Sequence, residues 1–297
     1  MPSAHPPDGG REALGYTRLV PAARIAESLA FINWTVLTGL AIGSFGAVVL
    51  ARWRTEATRG FLAFTTGCAV IFGVLAFLSD QALPATSGAS PIRADPAFDV
   101  PRRAALGAFC LLAAAYTVFL GRGRRAPPVA AAGLVAAAAT LAFGALGWAG
   151  DPLLAVPLLL QLVVLAAATG GVFAAMILGH WYLVTPKLPE APLILMSRLL
   201  LGVVALQLVL FGVWIATGAG PGSGAPFRIL VGPWALFVWL RLIVGLIFPL
   251  VVSWAALQTA RTRSMESATG LLYINVGTIA AGTILAAGLY FGAGLLV

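Results

Sequence analysis

The stretch Leu178–Leu200, LGHWYLVTPKLPEAPLILMSRLL, decides the fold. One long apolar run ends in it and a second begins in it. Pro186 and Pro189 stand between the two runs. A proline ring has no N–H to give and collides with the carbonyl four residues earlier, so a helix arriving at Val184 stops there and a new one starts near Ala191. The chain therefore turns back on itself, and the two runs are the arms of a hairpin.

The same alternation of apolar run and short break extends outward in both directions. Hydrophobic residues make up 60% of the 297 positions and charged residues only 9%, with a mean hydropathy of +0.98. Soluble domains carry about a quarter charged residues, so this chain lacks the surface chemistry to stay in water. The runs are continuous, unlike the alternating segments of about ten residues that a membrane barrel needs. Each is long enough to cross roughly 30 Å of hydrocarbon as a helix. The expected fold is an all-α, polytopic transmembrane bundle of eight spans. They run Ser28–Leu50, Phe61–Leu78, Ala104–Leu120, Pro128–Ala149, Pro157–Val184, Ala191–Thr217, Pro233–Ala260 and Ala268–Leu295. Residues 1–27, polar and rich in Pro and Gly, read as a disordered tail, and residues 28–297 as a single membrane domain. The first apolar run is too long for the core of a signal peptide.

Charge placement gives the orientation. The loops after the first, third, fifth and seventh spans hold nine basic residues, among them Arg52, Arg59, Arg125 and Arg263, against Glu56, Glu190 and Glu266. The opposite loops and the tail are balanced. Basic loops stay on the cytoplasmic side, so both termini are expected outside, in a multi-pass protein of the inner membrane. The net charge of +8 sits in these loops and forms no basic helix, which argues against nucleic acid as a partner. The expected partners are the lipid bilayer and other membrane subunits. Cys68 and Cys110 fall inside apolar runs without metal-like spacing and read as buried thiols.

Close glycine spacing marks expected helix contacts at Gly39, Gly43 and Gly46 and at Gly288 and Gly292. Thr169-Gly170-Gly171 reads as a soft point in the fifth span. Gln161 and Gln207 read as hydrogen-bonding glue between helices. Arg241, flanked by Trp234 and Trp239, is expected to snorkel to the outer surface, above a kink at Pro249.

The remaining polar residues inside spans gather at one depth. By the helical rise, His180 lies roughly 6 Å and Arg198 roughly 10 Å inside the basic face. The hairpin of the last two spans adds Ser253, Tyr273 and Asn275 at a similar level. Ionisable groups at such depth are costly in lipid and usually face the bundle or a cavity. His180, Arg198, Asn275, Tyr273 and Ser253 are accordingly the expected ligand-binding set, facing one pocket. The bland alternative has Arg198 snorkelling, His180 bonded to a carbonyl, and Trp181 and Tyr182 as interfacial anchors. Depth fixes height but not direction: Tyr273 and Asn275 are about 200° apart around their helix, so Tyr273 is the weaker member.

The chemistry of this set suits the acceptor oxygens of a quinone headgroup, or haem b with His180 as its one nitrogen ligand; the only other histidine, His5, is in the tail. A soft Cu(I) site of His180, Met176 and Met196 is chemically conceivable but disfavoured, because Arg198 would repel a cation. The primary functional expectation is a redox-associated or ligand-binding subunit with a polar pocket on the cytoplasmic side. The alternatives are a transporter of a small anionic or amphipathic substrate and a structural or assembly subunit. No catalytic residue is identified. P-loop, zinc-protease and nucleophile-elbow motifs are absent from the sequence.

Overall fold

In the computed structural model, residues 21–85, 91–185 and 188–297 are described. Among them there are nine helices and no strand. They are α1 (Pro21–Glu27), α2 (Leu29–Arg54), α3 (Arg59–Gln81), α4 (Asp99–Gly121), α5 (Pro127–Trp148), α6 (Pro152–Val184), α7 (Ala191–Thr217), α8 (Ala235–Arg261, including a π turn at Ile243–Ile247) and α9 (Met265–Ala293). The eight helices α2 to α9 are long and apolar enough to cross a membrane, the architecture of an integral membrane protein.

Consecutive long helices are joined by short connections and run in opposite directions. Contacts between loops show that the breaks alternate between two ends. At the basic end, Arg263 pairs with Glu190, and the Arg59 guanidinium lies against Gly123. At the other end, the Asp95 N–H donates to the Gly147 carbonyl at 2.8 Å, and the Tyr290 hydroxyl donates to the Trp148 carbonyl at 2.8 Å. The Leu178–Leu200 hairpin closes between α6 and α7, where the Tyr182 hydroxyl donates to the Pro189 carbonyl. Tyr182 is thus a buried clamp and not an interfacial anchor. Pro186 itself lies outside the described residues.

α6 is the central post: 72% of its most apolar window is buried inside the protein, against 50% or less for every other span. It begins five residues before Pro157, because Asp151 caps it by accepting from the Leu153 N–H at 2.8 Å and Pro152 occupies the first turn. Its closest neighbour is α2. A Cβ on Gly43 would sit 1.9 Å from the Ala166 carbonyl oxygen, and one on Gly170 would sit 2.2 Å from the Ser44 nitrogen. The backbones therefore touch with no side chain between them, and Ser44 Oγ donates to the Gly170 carbonyl at 3.3 Å. Gly170, read from sequence as a soft point, is one of the tightest contacts in the fold. Gly46, in the same row as Gly43, faces open space instead. Gly288 and Gly292 receive Ile25 and Arg24 of α1. Residues 21–27 are therefore helical and packed, unlike the disordered tail expected there; residues 1–20 lie outside the described residues.

The glutamines act as the sequence suggests. Gln207 Nε2 of α7 donates to the Val164 carbonyl of α6 at 2.8 Å. Gln161 Nε2 donates to the Val297 carbonyl at 2.5 Å, while its Oε1 accepts from Trp214 Nε1 at 3.3 Å. Thr169 bonds to Thr283 of α9 at 2.8 Å.

Arg241 departs from expectation. It is 1% exposed, so it does not snorkel outward. Its Nη1 donates to the Gly245 carbonyl at 3.2 Å and its Nη2 to Gln207 Oε1 at 2.9 Å. Pro249 explains the first bond. It has no N–H to offer the carbonyl four residues back, which is that of Gly245, and the guanidinium takes the vacant acceptor. The irregularity spreads upstream as the π turn at Ile243–Ile247, where Gly245 packs on the bare backbone of Gly282.

Candidate functional site

The residues expected to share one pocket separate into pairs. His180 is exposed, with Nδ1 3.4 Å from the Tyr273 hydroxyl, and Tyr273 is 49% exposed. Asn275 and Ser253 are fully buried, and Asn275 Nδ2 donates to Ser253 Oγ at 2.8 Å. This pair ties α8 to α9. Arg198 is exposed and makes no ion pair among the described residues. Met176 packs partly buried against the core, and Met196 is buried, lining a cavity described below. The shared pocket is therefore replaced by a surface pair and an interior pair. The angular argument holds: Tyr273 and Asn275 lie on opposite faces of α9. Among the described residues no three His, Cys, Asp or Glu side chains are grouped to hold a metal.

Two constellations bring together residues that lie far apart along the sequence. The first is at the end of the bundle opposite the basic loops. Asp80, fully buried, accepts from Arg102 Nε at 2.7 Å and from Arg103 Nε at 2.8 Å. The Arg102 Nη1 also lies 2.9 Å from Asp99 Oδ1, and its guanidinium stacks 4.6 Å from the Trp148 ring centre. Asp80 ends one apolar run and the arginines begin the next, so the sequence reads them as loop residues. The charges cancel here and the site is a clamp between α3 and α4.

The second is a groove. Its inner part is a cavity of about 350 Å³ whose floor is α2 and α6, at Gly43, Gly46, Ala166 and Gly171, and whose walls are α5 and α7. The lining is apolar throughout. Adding a Cβ at Gly46 or Gly171 meets nothing within 4 Å, because both glycines face the empty space. The lining residues Leu134, Val163 and Leu199 are 39%, 43% and 37% exposed, so the cavity opens sideways between α5 and α7.

Toward the basic end lies a second, wider cavity of about 810 Å³, the mouth of the groove. Leu134 lines both parts, and successive turns of α5 pass from Leu141 and Ala137 in the cavity to Ala131 and Ala130 in the mouth. The mouth carries Arg52, Arg59 and Arg125 with Glu56, Thr58 and Tyr116. None of the three arginines is in an ion pair among the described residues. Arg52 Nε and Thr58 Oγ1 are buried atoms without a hydrogen-bond partner. Buried donors left unmade cost about 1–3 kcal/mol each, so an acceptor in the mouth would relieve both. The N-termini of α3 and α5 border the mouth and add positive potential. The sequence shows these arginines only as an orientation signal, since nothing in their spacing tells that three of them converge.

No known protein family, curated protein or solved structure matches this chain.

Proposed function

We propose that this protein binds an amphiphile with an anionic head and passes it between the bilayer and the basic side, as a transporter of an amphipathic substrate. The observation that carries the reading is that a mouth with three unpaired arginines and an apolar cavity open to the side adjoin at Leu134. A chain in the cavity would lie against Gly46, Gly171 and Met196, while its head would meet Arg52, Arg59 and Arg125. Guanidinium groups favour carboxylate and phosphate oxygens through paired, charge-assisted bonds. By the positive-inside rule the mouth is cytoplasmic and the protein sits in the inner membrane with both termini outside. The redox reading needed His180 and Arg198 around one enclosed ligand, and the exposure of both gives it less support.

The test uses the full chain in nanodiscs and a pyrene-labelled alkyl carboxylate. Wild type should bind the probe with saturation. Gly46→Leu combined with Gly171→Leu fills the cavity from positions where a side chain has room, and should abolish the saturable signal. Undiminished binding by a variant that melts like wild type would falsify the cavity as the site.

A further inference from the structure

We infer that the head group taken by the mouth is a phosphate monoester carried on a single apolar chain. This rests on the reading of the groove as an amphiphile site and sharpens it to one substrate class.

The argument is a balance of charge and of donors. Arg52, Arg59 and Arg125 against Glu56 leave the mouth with two net positive charges. A phosphate monoester carries about −1.5 to −2 at neutral pH, whereas a carboxylate or phosphodiester carries −1 and would leave one guanidinium uncompensated. The donor count points the same way. Besides the guanidinium N–H groups, the unpartnered Arg52 Nε and Thr58 Oγ1 are available, and Tyr116 adds a hydroxyl; Glu56 is the one carboxylate. A head with three terminal oxygens uses such a surplus of donors, and a carboxylate with two does not. The apolar part is limited by the cavity. It holds about 350 Å³, and Gly43, Gly46 and Gly171 leave part of its floor without side chains opposite Met196 and Leu200.

The experiment compares dodecyl phosphate, dodecanoate, dodecanol and inorganic phosphate as competitors of the pyrene probe, with the full chain in phosphatidylcholine nanodiscs. Dodecyl phosphate should compete about fivefold better than dodecanoate, the ratio expected for one further solvent-exposed ion pair. Arg125→Ala, an exposed position that leaves the core intact, should weaken both anionic competitors but dodecyl phosphate more, bringing their ratio close to one. Equal competition by phosphate and carboxylate, both far above dodecanol, would overturn the phosphate class and leave the anionic amphiphile standing. Dodecanol competing as well as either would overturn the amphiphile reading itself. Inorganic phosphate matching dodecyl phosphate would show a free-anion site and overturn the role of the chain.

Discussion

The Arg241 guanidinium donates to Gln207 Oε1 at 2.9 Å, and the other end of the same amide donates to the Val164 carbonyl at 2.8 Å. One amide therefore joins three helices, α8 to α7 to α6, with its acceptor toward the charge and its donor toward a backbone. Reversing the amide would set its N–H₂ against the guanidinium, so its orientation is fixed by the cation. Gln207→Leu should cost about 2–3 kcal/mol, because it strips a charged, buried donor of its acceptor. Adding Arg241→Met should recover most of that loss, since both halves of the polar pair are then gone. Thermal unfolding in detergent reads both, and a double variant as unstable as the single one contradicts this account.

Gly43→Ala and Gly46→Ala should behave as opposites although the residues are one helical turn apart. At Gly43 the new methyl meets the Ala166 carbonyl at 1.9 Å, so α2 and α6 must separate. Overpacking of this kind costs about 1–3 kcal/mol or more. At Gly46 the methyl meets nothing within 4 Å, and the better helix propensity of alanine should leave stability equal or slightly raised. Comparable melting temperatures for the two would show that the close approach at Gly43 is not a real constraint.

Within the clamp at the other end, Asp80→Asn should be the most damaging change, at about 3–5 kcal/mol, because it leaves two guanidinium groups facing a neutral amide in a buried site. Arg103→Ala should cost far less, since Arg103 is 36% exposed while Arg102 is 1% exposed. Chemical or thermal denaturation of the single variants gives the order, and a larger loss from Arg103→Ala would reverse the burial argument.

Sidedness follows from the loop contacts. In a background with Cys68 and Cys110 replaced by Ala, Arg122→Cys and Thr262→Cys should be labelled from the same side of sealed vesicles. Ala225→Cys should be labelled only from the other. Labelling of all three by one impermeant reagent on one side would break the eight-span arrangement.

The spans were legible in the sequence because apolar length and proline breaks are local properties of the chain. Even so, α6 starts at Pro152 and not at Pro157, since the capping of Asp151 outweighs a proline near the helix start. The groove was not legible for a different reason. Depth along a helix can be counted in residues, which placed His180, Arg198, Tyr273 and Asn275 at one level. Which way each points depends on how the helices are turned about their axes, and that is set by packing such as Gly43 on Gly170. Arg241 looked like an interfacial residue by its height, but the acceptor freed by Pro249 drew it inward. Arg52 ends α2, Arg59 begins α3 and Arg125 lies in the loop before α5, and only the return of α4 and α5 toward α2 brings them together.

The π turn in α8 has one more effect, on phase. A π turn accommodates a residue beyond what the α-helical repeat allows, and each residue of a helix advances the face by about 100°. Everything after Ile247 is thus rotated relative to an uninterrupted helix. Ser253 meets Asn275 on the buried face under that rotation, while Val251 and Trp254 are turned outward. The turn works like an insertion that the helix has absorbed without lengthening its neighbours' contacts. Removing one residue between Ile243 and Ile247 would restore an uninterrupted α-helix and leave Ser253 and Trp254 facing as they do now, whereas straightening the turn with every residue kept would rotate both by about 100°. The identity of the lower half of this helix is therefore written partly in a residue count, and not only in the residues themselves.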